Sequence, residues 1–416
     1  MIQQKLQIDI DRLMKTIEES AGIGELSDGG ICRLALTDED KEMRSIFIQW
    51  LKDSGLEVRV DDFGNIYGRR EGINNDAFPV LIGSHLDTQP EGGHFDGILG
   101  VLAGLEVIRT LNDFNILTDR PIEIINFTNE EGSRFEPPIL GAGGVSGHFD
   151  KEFVYSRKDR DGKTFLEELK RIGYHGEESN RLQHSHCYIE LHIEQGPILE
   201  HKGIDIGVVT GIQGMDWLEV KITGQADHAG PSPMNMRKDA LYVAAKLIQI
   251  IRDTIINQNS EATATVGRMD IKPNSINCVP GEVVFSVDIR HSDDAIKAYL
   301  TQMIIEKLSI SAATEQVMIE IKKIWETSAS HFSAELIDII SETSAELGYS
   351  NQRMISGAGH DSKYMNEITP TVMIFIQSAD GKSHCKEEFT SKDAIEKGAN
   401  VLLHTICKLA GASNYE

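Results

Sequence analysis

Residues 78–100 read FPVLIGSHLDTQPEGGHFDGILG. An apolar run at 78–83 has the length and composition of a buried strand, and it stops at His85 and Asp87. A glycine-rich stretch at 92–100 follows, then a helical pattern near 98–112. Strand, polar loop and helix in that order are the unit of an α/β domain, whose functional groups collect beyond the carboxyl ends of the strands. Working outward, PIEIINF (121–127) and CYIELHI (187–193) repeat the nearly continuous apolar run expected of strands covered on both faces. Upstream, helices are predicted near 3–20 and 38–54. Thr37 would cap the second, with Asp38, Glu39 and Asp40 at its positive end and Gly55 stopping it. LEVRVDD and NIYGRREG predict a strand pair turning at Gly64–Asn65.

A different rhythm occupies 212–327: strand DWLEVKITG, helix 239–257, strands TATVGRMDI and EVVFSVDIR, helix 293–308 and strand VMIEIKKIW. This β-α-β-β-α-β order is that of a ferredoxin-like split βαβ module. The α/β pattern then resumes with helix 333–347, strand TVMIFI (371–376) and helix 391–410. The expected fold is therefore a catalytic α/β domain with a largely parallel or mixed sheet, made of 1–211 and 328–416. An α+β domain at 212–327 is inserted into it.

The 416 residues are 40% hydrophobic and 25% charged, with a formal net charge of −24. So acidic a surface repels phosphate backbones and argues against a nucleic-acid partner. The five cysteines, Cys32, Cys187, Cys278, Cys385 and Cys407, are scattered, which suits free thiols in a reducing compartment. The polar start lacks the cationic and apolar blocks of a secretion signal, and no apolar run reaches the roughly 20 residues of a membrane span. A cytoplasmic location without membrane association is the expectation.

Carboxylates and histidines follow several predicted strands. His85 has Asp87 two residues on, placed to accept its second N–H, and Asp96 after the glycine turn. Glu130 and Glu131 adjoin at a strand end, where two like charges are costly unless a cation intervenes or one keeps its proton. One of the pair can ligate and the other act as base. His192 lies in an apolar strand between Glu190 and Glu194, and His384 stands near the C-terminus. Each segment alone also suits an ordinary polar loop or a satisfied core histidine. Together, three histidines, an aspartate and a glutamate form a nitrogen/oxygen donor set for Zn²⁺, Mn²⁺, Co²⁺ or Ni²⁺. A shared aspartate can bridge two such ions about 3.5–4 Å apart. The inserted module offers His228, Asn277 and Arg290, and an arginine fork suits a substrate carboxylate.

GSHLDTQPEGGHFDG, FTNEEGSRF, LHIEQGP, DHAG-x-x-PM-x-x-R-x-D, SGAGHDS and a final SH-x-x-EE run, in this order, resemble the dinuclear zinc peptidase family, and the resemblance extends from about residue 10 to 410. Within it they look like the branch of N-carbamoyl-L-amino-acid hydrolases, β-ureidopropionases and allantoate amidohydrolases. The resemblance implies a catalytic domain, an inserted lid used for homodimerisation, and two divalent metal ions per subunit. By motif, His85 and His192 would hold one ion, Glu131 and His384 the other, and Asp96 would bridge them. Glu130 would be the general base, with Asp87 supporting the catalytic group. Gln195 and His360 would contact the carbamoyl or amide group. His228, Asn277 and Arg290 would bind the substrate carboxylate and stabilise the oxyanion, from either subunit. QGMDW at 213–217 and LGAGGVSG at 140–147 look closer to carbamoylases than to allantoate enzymes. The implied reaction is hydrolysis of the carbamoyl C–N bond of an N-carbamoyl-L-amino acid. Allantoate or another ureido acid, or a dipeptide or acyl-amino acid, are the alternative substrates.

Overall fold

The computed structural model describes residues 6–258 and 261–413, so the first residues of the helix predicted near 3–20 lie outside the described ones. The chain divides into two compact units, Gly211–Ser330 and the remainder on either side of it.

The larger unit is built on a nine-stranded mixed sheet. Strand Val80–His85 lies at its middle, parallel to Ile122–Phe127 on one side and to Cys187–Ile193 on the other. Thr371–Ile376 continues the parallel set beside Cys187–Ile193. Antiparallel strands flank these four: Ile66–Arg70 and then Glu57–Val60 at one side, Ile206–Ile212 at the other. Strands Val80–His85, Ile122–Phe127, Cys187–Ile193 and Thr371–Ile376 are buried along their whole length. Such unbroken apolar strands need cover on both faces. Helix Ile98–Asp113, nearly all of it buried, packs against the central strand. Gly100 permits this, because a Cβ there would come within 2.5 Å of the Leu191 carbonyl oxygen.

Local signals set the element ends. Helix Ile10–Ala21 starts at Asp9, whose carboxylate accepts the Arg12 N–H, so it begins later than its apolar period suggested. Thr37 caps Asp38–Asp53, and Gly55 takes a φ of 81° just beyond it. Helices Leu140–Ser146, Lys151–Ser156 and Phe165–Ile172 and strand Asn351–Ser356 were not anticipated. The first two are too short for a helical period to register.

In Gly211–Ser330 the sheet order is Met269–Lys272, Glu282–His291, Gly214–Thr223, Met318–Thr327, every pair antiparallel. This is the ferredoxin-like order. Alternate residues Leu218, Val220 and Ile222, with Val283, Phe285, Val287 and Ile289, face a core shared with helices Ala240–Asn257 and Asp294–Thr314. The single strand expected from TATVGRMDI is two, Thr263–Thr265 and Met269–Lys272, broken around Gly267. Helix Asp294–Thr314 also runs beyond its expected end.

Candidate metal centre

The parallel register puts His85 and His192 at the carboxyl ends of neighbouring strands and Glu130–Glu131 just past the end of Ile122–Phe127. Asp96 stands one residue before Gly97, which opens helix Ile98–Asp113 with a φ of 68°. Only glycine fits there, since a Cβ would sit 2.2 Å from His85 Nε2. Buried Arg33 and Arg44 hold the loops from beneath: Arg33 donates to the Leu86 carbonyl at 2.7 Å and Arg44 to Thr128 Oγ1 at 3.2 Å.

These residues converge into two donor groups that share one side chain. His85, Asp96 and His192 form one, and Asp96, Glu131 and His384 the other, with ligand atoms within 4.8 Å of one another in each. Asp96 Oδ1 lies 3.1 Å from His192 Nε2 and 3.8 Å from His85 Nε2, while its Oδ2 lies 3.3 Å from His384 Nε2. His384 Nε2 is 3.4 Å from Glu131 Oε2. Each carboxylate oxygen of Asp96 thus faces its own group. Glu130 Oε2 is 3.4 Å from His85 Nε2. A third cluster is Glu190, His192 and His360. Both Glu190 oxygens already accept hydrogen bonds, from Ser84 at 2.7 Å and from Ser362 at 2.5 Å.

The electrostatics call for a cation. Burial, then the charges of Asp361, Glu131, Asp96 and Asp87, pushes Glu130 well above the usual carboxylate range. Burial and then Asp96 push Glu131 up to about 8, and burial and then Asp40 push Asp87 up to about 7. Burial also acts upward on Asp96, but His192, His384 and His85 outweigh it and hold that carboxyl well below its ordinary value. Burial lowers His85 to about 4. Crowded carboxylates that resist ionising together are what a divalent ion relieves. With the mixed nitrogen/oxygen donors, the residues fit such an ion.

One expectation is corrected. Asp87 was expected to back His85 with its carboxylate; its backbone carbonyl does so instead, 2.9 Å from Nδ1, while the carboxylate is 3.9 Å away. That carboxylate accepts the backbone N–H groups of Glu130 and Glu131, each at 3.3 Å, and so fixes the glutamate turn. The main-chain oxygen takes this place because the carboxylate is engaged by the turn that follows the next strand.

Gln195, at a φ of 57°, donates to Asp96 Oδ2 at 2.6 Å. His360 is buried, edge-on to His192 at 4.5 Å, with Nε2 2.9 Å from Ser356 Oγ. Gln195, His384 and Asn129 all take left-handed backbone conformations uncommon outside glycine, and such strain gathers at functional sites. In the other unit, His228 and Asn277 are neighbours: strand Asp227–His228 pairs with Cys278–Val279, and both side chains are exposed. Arg290 is on strand Glu282–His291, where its fork engages Asp288 at 2.7–3.1 Å. Residues two apart on one strand share a face, which explains the pairing. Sequence reasoning passed over Asp361, Ser383 and Glu388, although all three stand inside motifs it quoted.

The donor groups and the sheet that carries them define a metallohydrolase of known type: the chain belongs to peptidase family M20/M25/M40, which it matches over residues 81–408. The family implies divalent metal ions. Among its relatives, the N-carbamoyl-L-amino-acid amidohydrolase of Rhizobium meliloti is 41% identical, over 97% of this chain and 97% of that one. The N-carbamoyl-L-amino acid amidohydrolase of Geobacillus stearothermophilus is 35% identical over 96% and 98%. A crystal structure of a hydantoinase/carbamoylase family amidase from Burkholderia multivorans superposes with a TM-score of 0.94 at 45% identity, covering 97% of this chain and 98% of that one.

Proposed function

We propose that this chain is a metal-dependent amidohydrolase that cleaves the carbamoyl C–N bond of N-carbamoyl-L-amino acids, giving the amino acid, ammonia and carbon dioxide. The observation that carries this reading is Asp96, whose two oxygens face separate donor groups, with the carboxyl of Glu130 beside His85 and outside both. His85, Asp96 and His192 would hold one divalent ion, and Asp96, Glu131 and His384 a second. Zinc, manganese, cobalt and nickel all suit these donors. Bound there, the ions would polarise the carbamoyl oxygen and make a nearby water acidic.

The chain's own groups do the rest. Glu130 takes the proton of the attacking water and returns it to the leaving nitrogen. That Glu130 Oε2 lies 3.4 Å from His85 Nε2 and outside both donor groups supports this role. Asp87 holds the Glu130 backbone in place. Gln195 and His360 bind the carbamoyl group, and His228 stabilises the developing oxyanion. Asn277 and Arg290 hold the substrate carboxylate, for which Arg290 exchanges its Asp288 partner. In this reading Gly211–Ser330 is the lid and the dimerisation domain, the enzyme is a cytoplasmic homodimer, and a small ureido acid is its partner.

Metal-stripped protein reloaded singly with Mn²⁺, Zn²⁺, Co²⁺ or Ni²⁺ tests this against N-carbamoyl-L- and D-amino acids, N-carbamoyl-β-alanine, allantoate and dipeptides. Ammonia release should be fastest with an N-carbamoyl-L-amino acid and should vanish on chelation. Faster conversion of allantoate to ureidoglycolate would move the assignment to an allantoate amidohydrolase, and preferred cleavage of dipeptides to a peptidase. Turnover that survives stringent chelation would sink the metal-dependent reading.

A further inference from the structure

The segment that carries His384 also carries a second acidic group that the reaction above leaves unused. In Ser383-His384-Cys385-Lys386-Glu387-Glu388, His384 takes a φ of 56° and the Glu388 N–H closes a turn on the Cys385 carbonyl at 3.0 Å. The turn carries the Glu388 side chain inward, where the residue is only 5% exposed. A carboxylate this buried must be matched by hydrogen bonds or it is costly. Glu388 finds its partners in the loop that bears Asp96: Oε1 accepts the backbone N–H of Phe95 at 2.9 Å and of Asp96 at 3.1 Å. The Ser383 hydroxyl stands between the two acids, 2.5 Å from Asp96 Oδ2 and 3.1 Å from Glu388 Oε2.

The loop is shaped to receive this carboxylate. A Cβ on Gly93 would fall 2.3 Å from Glu388 Oε1 and 2.4 Å from its Cβ and Cδ, so only a bare backbone leaves room. Phe389, next in sequence, meets Phe95 edge-on at 6.3 Å, a second link between the same two segments. One turn of chain therefore presents a candidate ligand and also clamps the loop of another.

We propose that Glu388 is a positioning residue for the shared ligand, holding the Asp96 backbone and, through Ser383, its Oδ2, so that both oxygens face their donor groups together. This rests on the two-ion reading of the site. Because Asp96 belongs to both groups, losing the clamp weakens both binding steps. Outer partners of metal ligands are worth about 10–100-fold in affinity when removed.

The test is titration of metal-stripped full-length protein with Co²⁺, followed by visible absorption, which reports ligand geometry independently of turnover. Wild-type protein should take up two ions. Glu388→Leu and Gly93→Ala should bind both about 10–100-fold more weakly, with altered cobalt spectra and an unchanged far-ultraviolet circular dichroism spectrum. Glu388→Gln should restore most of the affinity and the spectrum. Its amide oxygen still accepts the Phe95 and Asp96 N–H groups, and its NH₂ can donate to the Ser383 oxygen. Wild-type affinity and spectrum in folded Glu388→Leu would overturn the proposal. Should that variant fail to fold, the same result in both Gly93→Ala and Ser383→Ala overturns it equally. A wild-type protein that binds one cobalt ion or none instead refutes the two-ion reading, and this proposal with it.

Discussion

Glu130 is 7% exposed, and its carboxyl lies among Asp87, Asp96, Glu131 and Asp361. At this scale the distinction between a ligand and a base is one of reach: Glu131 approaches His384, and Glu130 approaches His85 without entering either donor group. Glu130→Gln keeps volume and shape but removes the proton acceptor. It should lower kcat by about 10²–10⁴-fold, the usual worth of a general base, while metal content measured on the purified variant stays at the wild-type level. A drop of less than about tenfold with full metal content would contradict the base role.

At the scale of elements, the larger unit depends on how strand ends are tied to the segments around them. The turn after Glu57–Val60 is one such junction. Asp62 is buried there and bound by both arms of Arg181, at 2.6 and 2.7 Å, and by Lys151 Nζ at 2.8 Å. Burial works against its charge, yet Arg181 and Lys151 prevail and hold the carboxyl at about 2. The folded chain therefore binds this proton less tightly than the unfolded chain. The resulting stability is complete above the unfolded value of about 4 and is lost as pH falls through about 2. Arg181 and Lys151 are partly exposed, and solvent screening limits the effect to about 1 kcal/mol. Asp62→Asn should cost about that much near pH 7 in denaturant unfolding, and the difference from wild type should close as the pH is lowered toward 2. A difference independent of pH would rule out the ion-pair account.

Across the whole molecule, the donor groups gather side chains from residues 85 to 384 onto one end of one sheet. An ion held by such distant segments binds the folded chain and not the unfolded one. Free metal at a hundredfold over Kd should therefore stabilise the protein by about 2.7 kcal/mol for each ion bound. Chelation should lower Tm in scanning calorimetry, and restoring Mn²⁺ or Zn²⁺ should raise it again in a concentration-dependent way. A Tm indifferent to both treatments would show that no ion joins these segments. No helix among the described residues is long and apolar enough to cross a membrane.

The order of elements was written in local chemistry. Apolar runs such as CYIELHI announce covered strands, Thr37 with its acidic neighbours announces a helix start, and the β-α-β-β-α-β rhythm announces the smaller sheet. The residue types of the donor groups were legible for the same reason, because each motif is a contiguous stretch at or beyond the end of a strand. Which atom of each residue does what was decided by packing alone. Asp87 turns its carbonyl rather than its carboxylate to His85 because its side chain meets N–H groups 43 and 44 residues further along. Glu388 meets the Asp96 N–H across 292 residues. Period and propensity act over a few residues, whereas a hydrogen bond between strangers in sequence exists only once the sheet has brought them together.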